Sequence, residues 1–260
     1  MTIKNKILIS ILIMMFLIAV FYPILTPYDE NDFSFSPMLS PSKTHWLGTD
    51  EMGRDIYSMV LSGFRVTIFI AIISAVLSTI LGTVFGVVAA YYKGWVDEVI
   101  LTFTEFFIII PEIVIILFFA VFSKPKVINT IIAITFFSWS KVCRIVRSKA
   151  MVAMEREKVK YTILLKGNLI DIIEKVWPEI RPTVSTMFIL QTSKAAVYES
   201  TLSFLGVGDP VLKSWGRIIK SALSYEGIFV DGVYKWYLLP PIVCLCVFVV
   251  TISLLTYEGD

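Results

Sequence analysis

The chain has 260 residues, 57% of them hydrophobic and 17% charged, with a formal net charge of +2. An average soluble domain carries about a quarter charged residues, so this apolar surplus and a mean hydropathy of +0.79 point to lipid as the solvent. The net charge is too small for the electrostatic footprint of a nucleic-acid binder. Cys143, Cys244 and Cys246 lie in apolar runs, His45 is the single histidine, and neither zinc nor disulfide spacing occurs, so no metal site and inert thiols are expected.

A spanning helix needs about 20 mostly apolar residues. Residues 7–28 carry no charge. Lys4 and Lys6 precede this stretch as they would in a signal peptide, but Tyr22-Pro23-Ile24-Leu25 offers no small-x-small cleavage site, so a retained first span over residues 1–28 is expected. Residues 29–65 follow as an outer segment. Residues 66–92 and 236–257 are again uncharged spans. Between them, a span over about 99–122 carries Glu105, Pro111 and Glu112. The next begins near Val127 and is expected to leave the membrane where Lys141, Arg144 and Arg147 bring charge. Another, over about 183–207, holds Lys194 and Glu199 in its body. The sequence thus predicts an all-α membrane protein with about six transmembrane helices, five of them in a core over 66–257. Lysine and arginine concentrate in residues 141–181, which the positive-inside rule places in the cytoplasm together with both termini.

The loop 148–181 reads as helical, with Met151, Met154, Val159, Ile163 and Leu164 set among Glu155, Arg156, Glu157, Lys158 and Lys160. Gly167-Asn168 suits a helix end, since both residues tolerate the left-handed conformation. A second short helix is expected over 169–176, stopping before Pro178. Two amphipathic helices with a sharp turn can dock another protein or lie on the lipid surface, and the pattern does not separate these.

Two strings are more specific. In His45-Trp46-Leu47-Gly48-Thr49-Asp50-Glu51-Met52-Gly53-Arg54-Asp55, a short helix capped by Thr49 or Asp50 would set Asp50 against Arg54 and Glu51 against Asp55. The first pair attracts and the second repels, so Asp55 needs a partner elsewhere. The second string is Glu199-Ser200-Thr201-Leu202-Ser203-Phe204-Leu205-Gly206-Val207-Gly208, followed by Ser214-Trp215-Gly216. Here Gly206 and Gly208 suit a helix end and Trp215 suits an interfacial belt.

The first string resembles the LGTD-x-x-GRD signature, and the second the E-x-x-LSFLGLG…SWG stretch, of the C-type permeases of ABC importers for dipeptides, oligopeptides and nickel. Glu105 and Pro111 match an acid and a proline in that family's third span. Residues 151–179 are similar to its cytoplasmic coupling loop: Lys160-Tyr161-Thr162 stand where Glu-Ala-Ala is expected, Gly167 lies one position late, and Trp177-Pro178 replaces Leu-Pro. The resemblance covers most of residues 46–255. It implies a type I importer fold in a bacterial inner membrane, and a subunit forming half of a translocation pathway for peptides, nickel or metal chelates. The implied partners are a second homologous permease, two cytoplasmic ATPases, an extracellular substrate-binding protein and membrane lipid. ATPase coupling would fall to Glu155, Lys160, Tyr161, Thr162, Gly167 and Pro178, and the outer motif to Leu47, Gly48, Thr49, Asp50, Gly53, Arg54 and Asp55. No Gly-x-x-x-x-Gly-Lys-Ser/Thr string occurs, so ATP and Mg belong to the partners and this chain is no enzyme. The sequence closes on Glu258-Gly259-Asp260, where the family usually continues into a short basic tail.

An ionisable group near the bilayer centre costs roughly 2.5–3.5 kcal/mol on insertion scales and so faces protein or water. On a helical wheel Gln191, Lys194, Tyr198 and Thr201 share one face, and Ser185, Thr192, Ala196, Glu199 and Ser203 another. The expectation is that the Glu199 face packs on a neighbouring helix while the Lys194 face borders the translocation path. The plain alternative has Lys194 snorkelling or pairing with Glu105. An ion-coupled secondary transporter using Glu105, Lys194 and Glu199 is the competing function, but it predicts internal repeats that the sequence lacks.

Overall fold

The computed structural model describes residues 3–230 and 232–257; the acidic end, Glu258-Gly259-Asp260, lies outside the described residues. Nine α-helices are found among them: α1 (Ile3–Leu25), α2 (Ile56–Tyr92), α3 (Gly94–Ile109), α4 (Glu112–Phe122), α5 (Val127–Met154), α6 (Glu157–Leu164), α7 (Leu169–Leu205), α8 (Trp215–Ser224) and α9 (Leu239–Tyr257). Three segments, Ile3–Leu25, Ile56–Tyr92 and Val233–Thr256, are each long and apolar enough to cross a membrane, and α3 with α4 makes a fourth if that bent pair is one span. Outward-facing Phe16, Phe21, Phe69, Phe103, Phe106, Phe118 and Phe122 are exposed, a surface that lipid, not water, would cover.

The helix α2 is the hub, packed against α1, α5 and α7. Its contact with α5 is close because small residues face it. A Cβ added at Gly82 would lie 2.5 Å from the Val142 Cβ, and one at Gly86 would lie 2.8 Å from the Cys143 carbonyl oxygen. Without a hydrophobic drive between helices in lipid, such close backbone approach is what holds a bundle together.

Three expectations change at this level. The span over 99–122 is broken: α3 and α4 meet at an angle of 85°, because Pro111 pushes Ile110 out of the helical region, to φ −85°, ψ 135°. The helix α5 runs on past Lys141, Arg144 and Arg147 to Met154, so the cationic stretch continues the same helix. The helix α7 does not stop before Pro178 but passes through both Pro178 and Pro182 as one element of 37 residues. Each proline removes a backbone donor, and both lie on the exposed side, where water can take up the freed carbonyls. Finally, the left-handed residue after α6 is Lys166, with φ 56°, not Gly167. Asn168 opens α7 in a capping box with Asp171 instead of closing α6. Gly167 is needed for space, since an added Cβ would come within 3.0 Å of the Thr162 carbonyl oxygen.

Two apolar cores result. The larger joins α1, α2, α4, α5, α7, α8 and α9. The smaller sits at the α6 end of the bundle, where Val159 of α6 is fully buried with Val146 and Ala150 of α5 and Ile172 and Val176 of α7. That second core fixes α6 to two long helices. They have 28 and 37 residues, so they extend about 42 and 55 Å at 1.5 Å per residue.

Candidate functional site

Three regions gather the residues that carry chemistry: the α6 end, the opposite end, and the middle of the bundle.

At the α6 end, Glu155 stands in the break between α5 and α6. Its carboxylate holds Lys160 at 2.8 Å and Lys93, in the turn after α2, at 3.5 Å. The Lys160 hydrogen bond first, and Lys93 beside it, keep the Glu155 carboxyl below its ordinary value. Both ion pairs are exposed and contribute little stability. Around them Tyr161, Leu164, Leu165 and Ile170 are 63–84% exposed. Large apolar side chains gathered at one helix tip are an interaction surface by default. Thr162 hydrogen-bonds back to Lys158, and Pro178 lies on the exposed face of α7.

At the opposite end, the outer motif folds into a tight turn, and the short helix expected there is absent. Gly48 and Gly53 have φ of +71° and +80°, and a Cβ on Gly53 would meet the Phe35 carbonyl oxygen at 2.2 Å. No other residue fits that approach. The buried Asp50 carboxylate takes the Met52 and Arg54 amides through one oxygen and the Arg54 guanidinium, at 2.5 Å and 2.7 Å, through the other. Thr49 donates to the Ser36 carbonyl and accepts from the Leu39 amide, while Leu47 packs against the larger core. The partner that Asp55 requires is His45, at 2.9 Å, and its second oxygen caps α2 through the Ser58 amide. Glu51 instead accepts from Tyr237 at 2.7 Å. Removing this cap and the histidine contact together, as in Asp55→Ala, is expected to cost about 2 kcal/mol, measurable as a lower thermal midpoint of the purified protein in detergent.

The second signature string folds next to it. Gly206 closes α7 with φ +84°, as expected. Trp215 is fully buried, edge-on to Phe64 with its indole donating to the Val60 carbonyl; it is no interfacial belt residue. Glu199 is 1% exposed and accepts from Ser203 at 2.7 Å and from Ser200 at 3.4 Å. Burial first, then Arg54 and Arg217, push the Lys213 ammonium in the following loop below its ordinary value.

The middle of the bundle holds a cluster that the sequence reading did not assemble. Glu112, the first residue of α4, has a side chain only 5% exposed. One carboxylate oxygen takes a short hydrogen bond from Ser138, and the other faces Lys141 at 3.0 Å and Lys194 at 3.6 Å. Gln191 donates to the Ser138 carbonyl at 2.6 Å, and Tyr198 lies beside the same carboxylate. Lys194 therefore pairs with Glu112 and not with Glu105, whose side chain is exposed. Lys141 and Lys194 remain 42% and 38% exposed, on a cavity of about 460 Å³ that Arg144 and Gln191 also line. As the helical wheel implied, Glu199 and Lys194 face different surroundings, a packed interior and an open space. One signal for the cluster was present in the sequence: an acid, Glu112, directly after the helix-breaking Pro111 in an apolar run.

Residues 82–257 match the family described as binding-protein-dependent transport system inner membrane component. The chain is similar to the dipeptide transport system permease protein DppC of Bacillus subtilis, at 30% identity over 226 residues, covering 85% of this chain and 71% of the relative. It is also similar to the oligopeptide transport system permease protein OppC of the same organism, at 28% over 243 residues, covering 91% and 77%. The glutathione transport system permease protein GsiD of Pectobacterium atrosepticum is 28% identical over 211 residues, covering 80% and 70%.

Proposed function

We propose, from the premise that the chain belongs to the family of binding-protein-dependent transport system inner membrane components and is a permease subunit of the dipeptide and oligopeptide type, that it imports peptides. The fold is the all-helical one of type I ABC importer permeases, and such subunits are not enzymes: ATP hydrolysis belongs to partner ATPases. An ion-coupled secondary transporter is set aside by the same membership. Permeases of this family act with a partner permease, ATPases and a substrate-binding protein.

In this reading the α6 end faces the cytoplasm with both termini, and the outer motif faces the binding protein. The chain supplies half of the pathway, lined by Gln191, Lys194 and Tyr198. Peptides are favoured as cargo because the similar permeases are named for dipeptides, oligopeptides and glutathione.

The observation that carries the reading is the apolar tip of α6 anchored to two unbroken helices. An ATPase that moves Tyr161, Leu164 and Leu165 moves Val159, and Val159 is packed directly against α5 and α7. Both helices then tilt as levers, opening one side of the pathway and closing the other. The experiment is Leu164→Asp with Leu165→Asp, two exposed positions outside the small core. The variant is expected to reach the membrane and hold its partner permease but lose its ATPase and ATP-driven peptide uptake. Uptake at the unaltered rate would remove α6 from the coupling path.

A further inference from the structure

We propose that Lys141 and Lys194 form a binding site for a carboxylate of the transported solute, taken up by exchange against Glu112; this rests on the permease reading above. Both ammoniums are directed at a single carboxylate oxygen, since the other is occupied by Ser138. Glu112 carries a single negative charge, delocalised over its carboxylate, against two ammoniums, so the cluster retains an uncompensated positive charge. Arg144 adds another to the same cavity wall, and the residues lining that cavity include no acid. The two lysines are unequal. Lys141 makes a hydrogen bond to Glu112 at 3.0 Å, whereas Lys194 stands off at 3.6 Å.

A solute carboxylate entering the cavity can therefore draw Lys194 away while Glu112 keeps both Ser138 and Lys141. The exchange leaves no buried charge alone at any stage, which is the condition for moving an anion past a desolvated site. Lys141 lies near the middle of α5, and Lys194 sits on α7 facing it. Both helices are anchored at α6, so the tilt that opens the pathway also changes the spacing of the two ammoniums. The site is thus placed to hold a carboxylate in one state and release it in the other.

The carboxylate can come from a peptide C-terminus or from an acidic side chain. The test uses the complete transporter in liposomes with saturating binding protein, and uptake is normalised to the occupancy of that protein by each peptide. Ala-Ala-Ala is compared with its C-terminal amide and with the amide of Ala-Glu-Ala. The unaltered transporter is expected to carry the free acid about tenfold faster than the plain amide, in line with the loss of one charge-assisted hydrogen bond. Recovery by the Glu-containing amide would assign the site to any carboxylate, and its failure to recover would restrict the site to the C-terminus. Lys194→Gln and Lys141→Gln are expected to collapse the acid-to-amide ratio. If either variant instead slowed both peptides by one factor, the lysines would be structural and the proposal overturned.

A second readout is independent of uptake. Acylation of Lys194 by a water-soluble lysine reagent, followed by mass spectrometry of the purified complex, should be slowed several-fold by millimolar Ala-Ala-Ala and not by its amide. Equal rates with both would also overturn the site. Absence of ATP-driven uptake of every peptide would reject the peptide-importer reading, and the acylation result would still decide whether carboxylates bind.

Discussion

Glu112→Gln is expected to lower the stability of the purified protein by about 2–4 kcal/mol, because it leaves Lys141 and Lys194 facing each other with no anion between them. The figure lies toward the low end of the range for a broken buried pair because both ammoniums reach the cavity. The triple variant Glu112→Gln, Lys141→Gln, Lys194→Gln should recover most of the loss, since it removes the stranded charges with their partner. Thermal midpoints of the three proteins in one detergent test this. A Glu112→Gln protein as stable as the unaltered chain would mean that the lysines already have other anions. Failure of the triple variant to recover would instead place the loss in the Ser138 and Gln191 hydrogen bonds.

Gly216→Val is expected to cost about 3 kcal/mol or more through overpacking. A Cβ at Gly216 would come 2.1 Å from the Ser200 carbonyl oxygen and 2.7 Å from its carbonyl carbon. Both are backbone atoms of α7, which cannot rotate aside. The clash therefore lifts α8 off α7 and takes Trp215, which fills the space against Gly63 and Phe64, with it. Gly63→Ala makes the informative comparison. Its added Cβ would meet the Trp215 indole at 2.4 Å, a side chain, so a smaller loss is expected if the ring can shift. The check is the yield of monodisperse protein together with the thermal midpoint. A Gly216→Val protein with an unchanged midpoint would show that α8 does not need this contact.

What the sequence revealed depended on whether a signal was local. The uncharged spans over 7–28, 66–92 and 236–257 reappear in α1, α2 and α9 because hydropathy along one helix is enough to find them. The need of Asp55 for a distant partner was also legible, from simple repulsion by Glu51, although the partner, His45, was not. The charged middle was not legible: hydropathy weighs Lys141 alone, whereas its pairing with Glu112, on another helix, exists only in the fold. The break between α3 and α4 escaped notice because Pro111 sits in an apolar run that hydropathy treats as continuous. Tryptophan suits an interface by its chemistry alone, so the burial of Trp215 was not legible: Gly63, on another helix, opens the slot it fills. Pro178 stopped a predicted helix that the structure continues, since its lost hydrogen bond lies on a solvated face.

The most direct test of the whole account is to purify the chain from its native membrane in mild detergent, identify what accompanies it, and reconstitute that assembly. The account predicts a second, similar permease and two ATPase subunits, with peptide uptake that requires ATP and a loaded binding protein. A chain that purified alone and moved solute down an ion gradient without ATP would contradict it.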